Sequence, residues 1–236
     1  MRINQQSHKN AFTLVELLTV VAIIAILAAL ALPQVTKMQE GGRKSKCASN
    51  LKQLGAAVRL YMADNDGSIF VPSPISTVLF AGKAGQSGTP ATDPKRFLNP
   101  YLGVTSTTRE VPVARCPADK GMSGVALQYN SAGNSYMFNY CPPNDTTKAT
   151  LRNLPVGTSS FKMMNVSQAA KTLMIMCQPA MNYVGGGDRQ QRWHSGPTDD
   201  VYVNACYVDG HIQFVRIPKP GESGYPDTAD FTWGIQ

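Results

Sequence analysis

Residues 12–32 are apolar throughout except at Thr13, Glu16 and Thr19. Wound as a helix at about 1.5 Å per residue, this run is about 32 Å long, the thickness of a bilayer's hydrocarbon core. Pro33 follows it and lacks the N–H a helix needs, which predicts a kink or a local stretch. Gly41-Gly42 is a second weak point. Beyond it Cys47, Leu51, Leu54, Val58 and Tyr61 recur at intervals of four, three, four and three. That spacing predicts an amphipathic continuation lying on a globular domain, with Lys44, Lys52 and Arg59 outside. Asp64-Asn65-Asp66-Gly67 reads as the helix stop.

Most of the glycines and prolines lie after Gly67, which predicts short strands joined by turns. Residues 73–94 read as a surface loop with a short apolar break at Val78-Leu79-Phe80, and residues 97–102 as an apolar segment under the sheet. Strand character is found at 171–177, 201–208 and 211–217, with Asp209-Gly210 signalling a two-residue hairpin turn. The expected fold class is α+β: a long N-terminal helix, its first half membrane-embedded, packed on a small antiparallel sheet with long loops. The expected divisions are a polar leader at 1–11, a membrane and assembly helix at 12–33, its amphipathic continuation at 34–66 and a globular domain at 67–236.

Charge and cysteine content refine this picture. The formal charge is +7, and loss of Arg2 and Lys9 with the leader lowers it to +5. Lys37, Arg43, Lys44, Lys46 and Lys52 form a basic cluster without interleaved aromatics, which suits a solvated helix face beside a membrane, so no nucleic acid is expected. The five cysteines, Cys47, Cys116, Cys141, Cys177 and Cys206, lack CxxC spacing, so no zinc knuckle is expected. In an oxidising compartment two disulfides and one free thiol allow fifteen arrangements. Cys177 and Cys206, both in predicted strands, are the candidate disulfide.

A secretory peptide is cleaved after its apolar core, whereas here a short polar leader abuts the run at Phe12. Glu16 lies inside that run, where a carboxylate is costly and needs a partner. Ala11-Phe12-Thr13-Leu14-Val15-Glu16-Leu17-Leu18 resembles the cleavage and methylation motif of type IV pilins and type II secretion pseudopilins. The resemblance implies that a prepilin peptidase cuts between Ala11 and Phe12 and methylates the new amine of Phe12. Glu16 then corresponds to the family's glutamate; Ala11 stands where glycine is commoner. Between stacked subunits the Phe12 ammonium and the Glu16 carboxylate neutralise each other, whereas in a lone subunit nothing in the sequence clearly satisfies Glu16. The positive-inside rule, counted on the basic cluster alone, favours the opposite topology. The signal and the cysteine-bearing domain place the later chain outside.

Further blocks resemble a pilin-like subgroup whose C-terminal, processing-associated domain is named for a histidine and a downstream Asp-Gly. They are Ser49-Asn50-Leu51-Lys52-Gln53-Leu54, Asp64-Asn65-Asp66-Gly67, Cys116-Pro117-Ala118-Asp119, Asn134-Ser135-Tyr136-Met137-Phe138-Asn139, His194-Ser195-Gly196 and Val208-Asp209-Gly210-His211. Fourteen residues separate His194 from Asp209, more than is usual there. His194, His211, Asp199, Asp200 and Asp209 crowd one region, and Asp199-Asp200 are the weak candidates for calcium; no other cofactor is expected. Asp209 suits a tight turn without a metal. Cys206 beside His194 or His211 lacks a nucleophile motif, and Gly185-Gly186-Gly187 lacks the lysine of a phosphate loop. The expectation is a structural subunit and not an enzyme: single-pass in the inner membrane, with a periplasmic or extracellular C-terminal domain. Its implied partners are prepilin peptidase, other pilin-like subunits and an inner-membrane assembly platform, within a pilus or a secretion pseudopilus. The alternative is a membrane-anchored binding module for a glycan, peptide or secreted substrate that forms no filament.

Overall fold

The computed structural model describes residues 13–70, 79–85, 96–105, 110–121, 127–139, 160–162, 166–180, 192–194, 196 and 200–218. The apolar run and the striped segment form one helix, α1, Leu14–Asp64. Helical structure continues through Pro33, which offers no N–H to the carbonyl one turn earlier. The Thr36 hydroxyl donates to the Pro33 carbonyl at 3.0 Å. At the other end the chain turns left-handed at Asp66 (φ 51°) and Gly67 (φ 72°). The Gly67 N–H reaches back to the Met62 carbonyl at 2.8 Å, closing the helix as the turn residues predict.

Contacts divide the chain into two compact units, Met1–Gly41 and Gly42–Gln236. In the first, the apolar side chains face outward: Leu14 is 79% exposed and Leu32 66%. By length and composition this part of α1 is able to cross a membrane.

The second unit holds the strands. β1 (Ser68–Phe70), β2 (Tyr136–Phe138), β3 (Ser160–Lys162), β4 (Leu173–Cys177), β5 (Val201–Tyr207) and β6 (Ile212–Ile217) form two antiparallel sheets. One is the pair β1-β3, and the other is four-stranded in the order β2-β4-β5-β6. A long helix with a small antiparallel sheet is the α+β class expected. β1, β2 and β3 are three residues each, too short to carry an alternating pattern, and escape sequence reading. The β5-β6 connection is one residue longer than expected: the Gly210 N–H bonds the Tyr207 carbonyl and the Tyr207 N–H bonds the His211 carbonyl. The loop therefore comprises Val208, Asp209 and Gly210, a turn completed by Gly210 at φ 90°.

The core of this unit is the stripe of α1 against the sheet. Cys47, Leu51, Leu54 and Val58 are fully buried in one cluster with Phe80, Phe138, Ile175 and Cys206. The segment read as a surface loop is corrected at residues 79–82, which are buried. Buried polar side chains supply the hydrogen bonds that an irregular interior segment needs. The Arg96 guanidinium donates to the carbonyls of Ala81 and Ala132 at 2.6 and 2.9 Å. The Asn99 amide exchanges two bonds of 2.8 Å with the backbone of Gly82.

Candidate functional site

The start of α1 is built by Thr13 and Glu16. The Glu16 carboxylate accepts from the Thr13 N–H at 2.9 Å and from its hydroxyl at 2.7 Å, and the Glu16 N–H donates to the Thr13 oxygen at 3.3 Å. This is a reciprocal capping box, with threonine just before the helix and glutamate three residues on. It corrects the expectation that Glu16 is unsatisfied in a lone subunit: two donors already point at it. The pattern Thr-x-x-Glu is the sequence signal for this helix start, and it gives Glu16 a role besides that of a membrane-buried charge. Ala11 and Phe12, the expected processing residues, lie outside the described residues.

The cysteines are arranged differently from any strand-to-strand bridge. Cys177 and Cys206 are both free thiols, so the expected disulfide is not formed. The register explains why: Cys206 stands opposite Ile175 and not Cys177, and the Cys177 sulfur instead lies 3.2 Å from Cys47 Sγ. Cys206 sits apart, where an ideal Cβ on Gly55 of α1 would come within 2.8 Å of its sulfur. Its thiol is pushed up to about 12 by burial, which outweighs the nearby Arg59 charge.

Cys116 and His194 complete the group around Cys47 and Cys177. His194 Nε2 is 3.4 Å from Cys116 Sγ and 3.7 Å from Cys177 Sγ. All of these ligand-type atoms fall within 4.8 Å of one another, and every member is buried. Burial opposes ionisation of Cys47, but hydrogen bonds with Cys116, Cys177 and His194 outweigh it and hold that thiol well below its ordinary value. Burial and the neighbouring thiols push Cys177 well above it. The wide sequence spacing that argued against a metal is closed by the fold. Cys116 and His194 fall within family-like blocks and Cys47 two residues before another, the one signal that pointed here.

Two polar side chains hold the loop bearing Cys116. Asp119 accepts from the N–H groups of Gly121, Gln128 and Tyr129 and from the Ser135 hydroxyl, at 2.7–3.1 Å. From α1, the Asn50 amide donates to the Arg115 carbonyl at 2.8 Å and to the Tyr136 hydroxyl at 3.3 Å.

Of the residues expected to crowd around a calcium, those among the described residues each have another partner. Asp200 pairs with Arg216 at 2.8 Å, His211 with its turn neighbour Asp209 at 2.7 Å, and His194 with the thiols. Asp199, Cys141 and the triple glycine at 185–187 lie outside the described residues. Lys44, expected outside, is half-buried, with its ammonium 3.2 Å from the centre of the Phe214 ring.

Residues 6–32 match the family model of the prokaryotic N-terminal methylation motif. The chain is also 42% identical over 67 residues to the type IV major pilin protein PilA of Myxococcus xanthus, covering 28% of this chain. It spans about a third of that relative's own length, 30%. No solved structure matches the chain.

Proposed function

We propose that this type IV pilin-like chain is a structural subunit of a type IV pilus. Residues 12–33 hold it in the inner membrane. A prepilin peptidase cuts between Ala11 and Phe12 and methylates Phe12, and an assembly platform stacks the mature chain with other pilin-like subunits. The Gly42–Gln236 unit is then carried on the periplasmic or outer side. The observation that carries this reading is the methylation-motif match at residues 6–32. The exposed apolar surface of the helix that follows supports it, since such a surface needs lipid or neighbouring helices to cover it. The likeness to a major pilin favours a pilus over a secretion pseudopilus.

Glu16 has two roles in succession on this reading. In the lone chain its carboxylate caps α1 through Thr13. In the stack it neutralises the Phe12 ammonium of a neighbour, and loss of one charge leaves the other unpaired at a cost of about 3–5 kcal/mol.

The test joins processing with assembly. N-terminal sequencing of the membrane-extracted chain is expected to start at Phe12; a start at Met1 or beyond residue 32 overturns the reading. Glu16→Gln keeps a capping side chain without the charge, whereas Glu16→Ala removes both. Both variants are expected to insert and be cleaved like the parent and to yield no sheared filaments. Filaments from Glu16→Gln but not from Glu16→Ala would leave Glu16 with the capping role alone. A mature, anchored parent that forms no filaments makes the membrane-anchored binding module the better description.

A further inference from the structure

We propose that Cys47, Cys116, Cys177 and His194 are the four ligands of a closed, structural zinc site that ties the continuation of α1 to the sheet. Three thiols and one imidazole form a donor set that selects zinc, a soft-tolerant ion without a redox role here. A tetrahedron with zinc–sulfur bonds of about 2.3 Å has edges of about 3.8 Å. The separations of 3.2, 3.4 and 3.7 Å lie close to that edge, and no pair in the group exceeds 4.8 Å. Shifts of about 1 Å or less, opening the short separations and closing the wide ones, bring the four atoms to that geometry.

Burial and backing point the same way. All four residues are at most 1% exposed, so a filled site has no open position for water or substrate, which marks it as structural and not catalytic. The ligands come from four separate stretches: Cys47 from α1, Cys116 from the loop held by Asp119, Cys177 from the end of β4, and His194 from a residue bridged to Tyr202 of β5. Cys47 and Cys177 are 130 residues apart in sequence. Such convergence of three thiols and an imidazole, all buried and within 4.8 Å of one another, calls for a ligand. Cys206, equally buried on the same sheet, lies outside the group and provides an internal control.

Binding is balanced by proton release: three thiols lose their protons as three sulfur–zinc bonds form, and neutral His194 donates the lone pair of Nε2. Coordination also keeps Cys47 and Cys177 from oxidation to a disulfide, the competing fate of two thiols at this separation in an oxidising compartment.

The experiment uses the full chain, extracted in detergent and purified through a tag that binds no metal. Elemental analysis is expected to find one zinc per chain in the parent and in Cys206→Ser, and at least a tenfold loss in Cys116→Ser. Replacement with cobalt is expected to give intense tetrahedral ligand-field bands and thiolate-to-metal charge transfer. A strong chelator is expected to lower Tm by on the order of 10 °C. Should Cys116→Ser fail to accumulate, metal content and cobalt spectrum of the parent decide alone. A metal-free parent without thiolate–cobalt bands, or unreduced peptides joining Cys47 to Cys177, overturns the proposal.

Discussion

Burial acts on single groups in opposite ways in this protein. Cys206 is enclosed where α1 meets β5, and the neutral thiol is the form the interior accepts, which is why its pKa rises from 9.0 to about 12. For an acid whose folded pKa is raised, the stabilising effect is complete below the unfolded value and is lost as pH climbs through the folded one. The parent is therefore expected to lose stability between about pH 9 and 12 in part through Cys206. Cys206→Ala should show a shallower decline over that window in urea unfolding curves taken at stepped pH; an unchanged decline assigns the alkaline loss elsewhere. Glu16 shows the converse: its carboxylate is exposed and engaged by Thr13, so its charge costs little until a membrane or a neighbour surrounds it.

Among the elements, α1 changes character at Gly41-Gly42. Before them it offers apolar side chains on every side; after them it buries one stripe, with Leu51, Leu54 and Val58 at 0% exposure. Gly55 lets this second part approach β5 closely, since a Cβ there would meet Cys206 Sγ at 2.8 Å. Gly55→Ala gains up to about 1 kcal/mol of helix propensity but overpacks a filled core, at about 1–3 kcal/mol. The net expectation is destabilisation in the parent background. With Cys206→Ala also present the clash is gone, and Gly55→Ala should become neutral or stabilising; urea midpoints of the four chains form the double-mutant cycle that checks it.

At the scale of the whole molecule, the described residues form one unit with a core and one without. Gly42–Gln236 contains the sheets, the buried stripe and the thiol group, whereas among the described residues the membrane-length apolar window of the first unit is wholly unburied. A chain beginning at Gly42 is expected to be soluble without detergent and to unfold in one cooperative transition, seen by calorimetry and size-exclusion chromatography. Aggregation of that chain would mean that residues before Gly42 complete its core. Retention in the membrane is expected to track residues 12–33 alone.

The sequence by itself determined the features that depend on near neighbours. A long, mostly apolar run reads as a membrane-length helix, a three-four spacing as a buried stripe, and Asp-Asn-Asp-Gly as its end, because each is a property of neighbouring residues. The Phe12-to-Glu16 block was legible for the same reason. β4, β5 and β6 were found to within two residues from their apolar and β-branched content. Only the tertiary structure decided what lies side by side across long stretches of chain. Sheet register, which set Cys206 against Ile175, undid the expected disulfide. Asn50, bonded to the Arg115 carbonyl 65 residues away, and Asp119, bonded to the backbone of Gly121, Gln128 and Tyr129, hold the loop that sets Cys116 beside Cys47. Spacing along the chain carries no record of such meetings: a ligand set drawn from four separate stretches becomes visible only when packing has closed the loops between them.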